Sequence, residues 1–240
     1  MINLLDQFSL KTILNINFFN FNLMFSNASL SFFVIYTIFN LTYIISAKNF
    51  SVIPNVFQMI VELIYDFTNN LLLESTGLRG KSFSLLIFTI FIFILMSNIL
   101  SIIPNFFSLT SQFLITLSLS IMVYILFMGV GLYTNGKNYF SIFIPKNTPF
   151  LIRPLIFLIE LFSYLIKPFS LSVRLSANIV AGHVVIKLLS YFTTLYGIFS
   201  AFSFILLILI MIFEVLMSAL QAYIFTILTC VYFNDSINLH

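Results

Sequence analysis

The sequence predicts an all-α membrane protein, and three observations carry that prediction. Charged residues make up 7% of the chain and hydrophobic ones 61%, whereas a soluble domain is roughly 25% charged. Mean hydropathy is +1.13. Apolar runs long enough to cross a hydrocarbon core of roughly 30 Å as a helix recur along the 240 residues without a change of composition that would mark a second domain. The expected architecture is about five membrane helices plus one amphipathic interfacial helix, the last two long and steeply tilted as a hairpin. All of it belongs to a single membrane domain, 1–240.

Residues 21–47 form the first expected span, ending at Lys48. In 54–75 the pattern changes: Glu62, Asp66, Asn69 and Asn70 recur at helical spacing among Val61, Leu63, Ile64, Phe67 and Leu71. A helix with such a divided surface lies at the membrane interface. Residues 83–106 and 109–133 are a helical hairpin around an uncharged turn with Pro104 and Asn105. After the polar loop TNGKNYFSIFIPKNTP come two very long apolar stretches, 150–189 and 195–233. As helices each is roughly 60 Å long at 1.5 Å per residue, about twice what crossing needs, so both are expected to tilt steeply.

With the amino terminus outside, Lys48, Arg79, Lys81, Lys137, Lys146 and Arg153 all fall on one side of the membrane, which the positive-inside rule makes the matrix or cytoplasm. The carboxyl terminus then lies on that same side. The chain is rich in Phe (32), Ile and Asn, holds three Arg and no Trp, and its first residues lack the Arg-rich, Ser-rich character of a transit peptide. Synthesis inside an organelle, or in an AT-rich bacterium, fits both features.

Several function classes drop out. The net charge of +3 is scattered, with no basic cluster interleaved with aromatics, so no nucleic-acid partner is expected. One cysteine, Cys230, permits no internal disulfide, and no Cys/His spacing suggests a metal site. Two histidines, His183 and His240, are too few for a di-haem cytochrome subunit. There is no phosphate-cradling G-x-x-x-x-G-K-[ST] loop, and no cofactor is expected. No pair of inverted repeats with broken helices argues for a secondary transporter, although intramembrane charges alone leave that class, and a respiratory-complex membrane subunit, as alternatives.

Those charges hold the functional signal, because an ionisable group inside a span costs roughly 2.5–3.5 kcal/mol on insertion scales and so faces protein or water. Arg153, Glu160, Lys167 and Arg174 recur every seven residues, which on a helix is one slowly rotating stripe. Arg174 has Ser170 and Asn178 at the i±4 positions, so no carboxylate pairs with it locally. Lys167 and Lys187 are open to a plainer reading as long side chains reaching an interface. In the last helix Glu214, Ser218 and Gln221 make a polar stripe, and Asp235 follows roughly 31 Å further on. Glu160 with Asp235 marks one expected aqueous pocket, and His183 with Glu214 a second, with Arg174 between them. A guanidinium does not deprotonate in proteins, so it separates two such pockets as an electrostatic barrier. Protons would then cross on a moving carboxylate of another subunit.

SLSVRLSANIVAGH, followed by FEVLMSALQAYIFTILTCVYFNDSINLH, resembles the a subunit of the rotary F-type ATP synthase, known in mitochondria as subunit 6. The specific motifs cover the carboxyl-terminal half. The resemblance implies that Arg174, in L-S-x-R-L, faces the carboxylates of a c-subunit ring. It implies that Asn178 and His183, in A-N-x-x-A-G-H, belong with Glu214 and Gln221 to an entry half-channel, and Glu160 and Asp235 to an exit half-channel. It further implies a non-catalytic proton-channel subunit of the mitochondrial inner membrane, with a peripheral-stalk b-type subunit, other membrane subunits, the lipid bilayer and protons as partners. Ser176 departs from the family pattern, which usually has Phe there.

Overall fold

A computed structural model describes residues 9–18, 21–48, 54–103, 106–136, 139, 149, 152–194 and 198–237. Its framework is six α-helices: α1 (Asn27–Lys48), α2 (Val56–Thr76), α3 (Ser84–Ser101), α4 (Phe113–Asn135), α5 (Arg153–Thr193) and α6 (Ile198–Ile237). Four stretches are long and apolar enough to cross a membrane: Val56–Ser101, which runs α2 into α3, then Phe113–Asn135, Arg153–Thr193 and Ser200–Ile237. In α1 the apolar stretch Asn27–Leu41 is shorter.

The first helix begins later than its apolar run. Phe21–Ser26 is a strand, β2, paired antiparallel with β1 (Thr12–Phe18). The reason lies at Ser26 and Ser29, whose side chains bond each other's backbone amides: Ser26 N–H donates to Ser29 Oγ at 3.1 Å and Ser29 N–H to Ser26 Oγ at 3.5 Å. This reciprocal cap fixes a helix start at Asn27. Asn27 adds a tie to the preceding chain, donating from Nδ2 to the Ser9 carbonyl at 3.0 Å.

The hairpin expected over 83–106 and 109–133 has a longer connection than anticipated. Helix α3 stops at Ser101 because Pro104 lacks an N–H and disfavours helical geometry at Ile103. A short turn of 3-10 helix, Leu109–Ser111, then precedes α4. It is held by Ser108 Oγ donating to Ser111 Oγ at 2.6 Å and Ser111 Oγ donating to the Ser108 carbonyl at 2.7 Å. Pro104 and Asn105 themselves, and Lys137 and Lys146 of the polar loop, lie outside the described residues. Helices α2 and α4 each end at a glycine of positive φ, Gly77 (65°) and Gly136 (54°), whose amides return to Leu73 and Leu132 carbonyls. That is how a helix stops where only glycine is unstrained.

The expected long helices 150–189 and 195–233 are observed as the 41-residue α5 and 40-residue α6. They pack on each other, while α4 packs on both, α3 packs on α6, and α2 packs on α6 and α3. Ile87, Phe91, Ile94, Val123, Phe127, Leu175, Ala222, Phe225 and Phe233 form the core between these helices. The carboxyl end of α6 is tied down by α4: Asn135 Nδ2 donates to the Ser236 carbonyl at 2.9 Å and the Ile237 carbonyl at 3.1 Å. Asn135 thereby ties the end of α4 to the last described turn of α6. Replacing it by alanine is expected to destabilise the fold by about 1–2 kcal/mol, read as a lower melting temperature of the purified complex in detergent.

Candidate functional site

Helix α6 turns one polar face inward. Glu214, Ser218 and Gln221 are all buried, Glu214 being 5% exposed, and they sit on one side because their spacing is four and then three residues. Glu214 meets α5 at Gly182: a Cβ on that glycine would stand 2.7 Å from Glu214 Oε1 and 3.0 Å from its carboxyl carbon. Glycine is what admits the carboxylate to the α5 surface. The next residue on α5, His183, is likewise 5% exposed. Glu214 thus lies against the residue next to His183, on the α5–α6 seam. Both carboxylate oxygens of Glu214 are buried and accept no hydrogen bond from the described residues.

Helix α3 supplies a residue that sequence reasoning missed. Asn98 is fully buried and donates from Nδ2 to the Ser218 carbonyl at 3.2 Å, on the same face of α6 as Glu214. Its side-chain oxygen is buried without a partner among the described residues. An asparagine inside an eighteen-residue apolar helix was a visible signal, since polar side chains in spans mark helix interfaces or pathways. Thr116 on α4 extends the polar lining, donating to the Ser172 carbonyl of α5 at 3.4 Å.

At the other end of the seam Lys167 Nζ lies 3.5 Å from Asp235 Oδ2. The lysine also stands 4.6 Å from the centre of the Tyr164 ring and 5.2 Å from that of Tyr232. Tyr124, Tyr139, Tyr164 and Tyr232 wall a cleft of about 10 Å³ together with Lys167, Asp235 and Ser236, room for about one water. Glu160, half-buried on α5, lies within electrostatic reach of Tyr124 and Tyr164. Asp235 lines that cleft, and the charge it pairs with is Lys167, which the sequence reading had left without a role.

Arg174 sits between these two places, seven residues after Lys167 and eight before Gly182, or roughly 10 and 12 Å along the helix. It is exposed. No carboxylate among the described residues is in salt-bridge reach of it. Nine residues separate it from His183, which at 100° per residue puts them on opposite faces of α5, while Lys167, seven residues before Arg174, shares its stripe. Asn178, one turn after Arg174, is half-buried. Ser170, exposed, and Asn178 flank Arg174 one turn away on either side, and Ile166, Phe169 and Val173 of α5 are exposed beside that face. Among the described residues no group of three His, Cys, Asp or Glu side chains is placed to hold a metal ion.

A sequence model of the family described as ATP synthase A chain matches residues 28–234. The chain belongs to that family. Membership makes it a multi-pass membrane subunit of the ATP synthase membrane sector. The match takes in α1 to α5 and nearly all of α6, so both ends of the α5–α6 seam fall within it or at its border, Asp235 being the next residue.

Proposed function

We propose that this ATP synthase A chain member is the proton-translocating subunit of the membrane sector, with two offset half-channels and Arg174 facing the carboxylates of a c-subunit ring. The observation that carries the reading is the placement of Arg174. It is an exposed cation with no carboxylate in salt-bridge reach among the described residues, between two buried or half-buried polar sites at opposite ends of the α5–α6 seam.

The entry half-channel in this reading runs along His183, Glu214 and Gln221 with Asn178, and Asn98 joins its lining. Buried groups with unused hydrogen-bonding capacity, such as Glu214 and the Asn98 oxygen, are suited to a wet path. The exit half-channel runs past Glu160 and Asp235. A proton entering at the first site neutralises a ring carboxylate, which makes that carboxylate compatible with lipid. Having travelled round with the ring, the carboxylate comes to the second site, where the permanent charge of Arg174 favours its ionised form and the proton is released. Arg174 itself carries no proton across. Each charge moved down the membrane potential contributes about 2.3 kcal/mol per 100 mV.

The subunit is non-catalytic towards nucleotide in this reading, and its partners are the c ring, a peripheral-stalk b-type subunit and other membrane subunits. Its place is the mitochondrial inner membrane, with the amino terminus outside, α2 at the interface, and the carboxyl terminus in the matrix. The cations Arg79 and Lys81, which follow α2, fit that orientation.

Two variants test the reading in membrane vesicles, with rates normalised to assembled complex on native gels. Arg174→Ala is expected to lower proton-driven ATP synthesis by a factor of at least about a hundred while the complex still assembles, and wild-type synthesis would refute the barrier role. Gly182→Ala places a methyl against Glu214, whose flexible carboxylate must move away. It is expected to cost about tenfold in the same rate without loss of assembly; an unchanged rate would remove Glu214 from the entry path.

A further inference from the structure

We propose that Lys167 is a positioning residue: its ammonium, caged between tyrosines, holds the Asp235 carboxylate at a set place across the α5–α6 seam. This deepens the reading above and rests on it.

Four observations support the role. The ion pair joins two different helices, Lys167 of α5 and Asp235 of α6, at 3.5 Å. The same ammonium lies over one ring from each helix, Tyr164 at 4.6 Å and Tyr232 at 5.2 Å, so cation–π attraction acts on it from both sides of the seam. A third wall comes from α4, where Tyr124 packs edge-on against Tyr164 at 5.9 Å and Tyr232 at 6.3 Å. A lysine merely reaching for lipid headgroups would extend away from its neighbours, and this one is turned into the seam. Finally, Pro168 follows directly inside α5. It has no N–H to give to the Tyr164 carbonyl, so the helix loses a bond of its own ladder here and the contacts of Lys167 with α6 do more to fix the local geometry.

The groups facing Asp235 are therefore Lys167 and Tyr164 of α5, Tyr232 and Ser236 of α6, Tyr124 of α4, and Tyr139, with Glu160 near the same tyrosines. The cleft beside the pair has room for about one water, and the Lys167 and Asp235 side chains are 25% and 33% exposed, so packing alone does not hold the carboxylate in place. The ammonium does that, and the carboxylate in turn keeps the ammonium from drifting towards the lipid. The geometry through which a proton leaves is set by a pair, one member of which does not exchange protons with the ring.

The test uses the assembled complex in vesicles and the rate of ATP synthesis under an imposed proton gradient, per assembled complex. Lys167→Met keeps all but the last atom of the side chain's length and removes the charge. It is expected to lower the rate about tenfold or more, and Lys167→Arg, which keeps a cation beside Asp235, is expected to restore most of it. A wild-type rate in Lys167→Met overturns the proposal, as does an Arg variant that falls as far as the Met variant. Should Lys167→Met fail to assemble, the double variant Lys167→Met/Asp235→Asn leaves no unpaired charge and is expected to assemble with a low rate; a wild-type rate there also overturns the proposal. Arg174→Ala in the same vesicles separates the two levels. If it synthesises normally, the functional reading itself fails; if it is inactive while Lys167→Met is normal, only the positioning role fails.

Discussion

Polar side chains on helices surrounded by lipid must find partners within the protein, and that constraint fixes how α5 and α6 lie together. Most of the polar residues in these helices solve the problem alone. Ser172, Ser218, Thr226 and Thr229 donate their hydroxyls to carbonyls three or four residues back in their own helix, and Ser97 and Ser101 do the same on α3. Such side chains are buried at small cost and need no particular neighbour. Glu214, Lys167 and Asp235 do not satisfy themselves in this way, since a carboxylate has no proton to donate and a lysine ammonium stands beyond the carbonyls of its own turn; Asn98 could, as Asn40 does by donating to the Tyr36 carbonyl, but it donates to Ser218 of α6 instead. Each is placed where a second helix meets it, and together they define the two ends of the seam.

The outer surface follows from the same constraint in reverse. Leu165, Ile166 and Phe169 on α5 and Leu209, Phe213 and Leu216 on α6 are exposed, which in water would be an aggregation hazard and in a bilayer is the low-energy arrangement. Arg174 interrupts that surface. Ser172, Ser176 and His183 are buried on the far side of α5, and the polar residues one turn from Arg174, Ser170 and Asn178, carry no charge to balance its own.

Much of this was legible in the sequence, and the failures have physical causes. The long helices and the inward stripe Glu214, Ser218, Gln221 follow from a period of 3.6 residues, which the eye can count. Glu214 meets α5 at Gly182, the neighbour of His183, and a shared role for that acid and histidine is a proposal that rests on their motifs. By contrast, 21–26 read as helix because a short apolar run looks alike as strand or span; the deciding signal was the small pair Ser26 and Ser29. Asn98 was missed because a single amide in an apolar helix has no periodicity, and its importance appears only when Ser218, 120 residues away, comes beside it. For the same reason Lys167 could not be matched to Asp235: their separation in sequence is large, and which lysine reaches which carboxylate depends on how α5 and α6 are registered.

The contrast between Lys167 and Arg174 carries a further argument. They stand seven residues apart on one stripe of α5, yet one has a carboxylate at 3.5 Å and the other has none within reach among the described residues. An ammonium in a poorly solvated site keeps its charge dependably only beside an anion or water, whereas a guanidinium stays charged in any setting. The lysine is found where its counter-charge belongs to the same chain and is always present. The arginine is found where, in the proposed mechanism, each counter-charge arrives on a moving ring and leaves again, so the cation must persist through intervals with no partner at all. The choice of residue at each position thus follows from how long its partner stays.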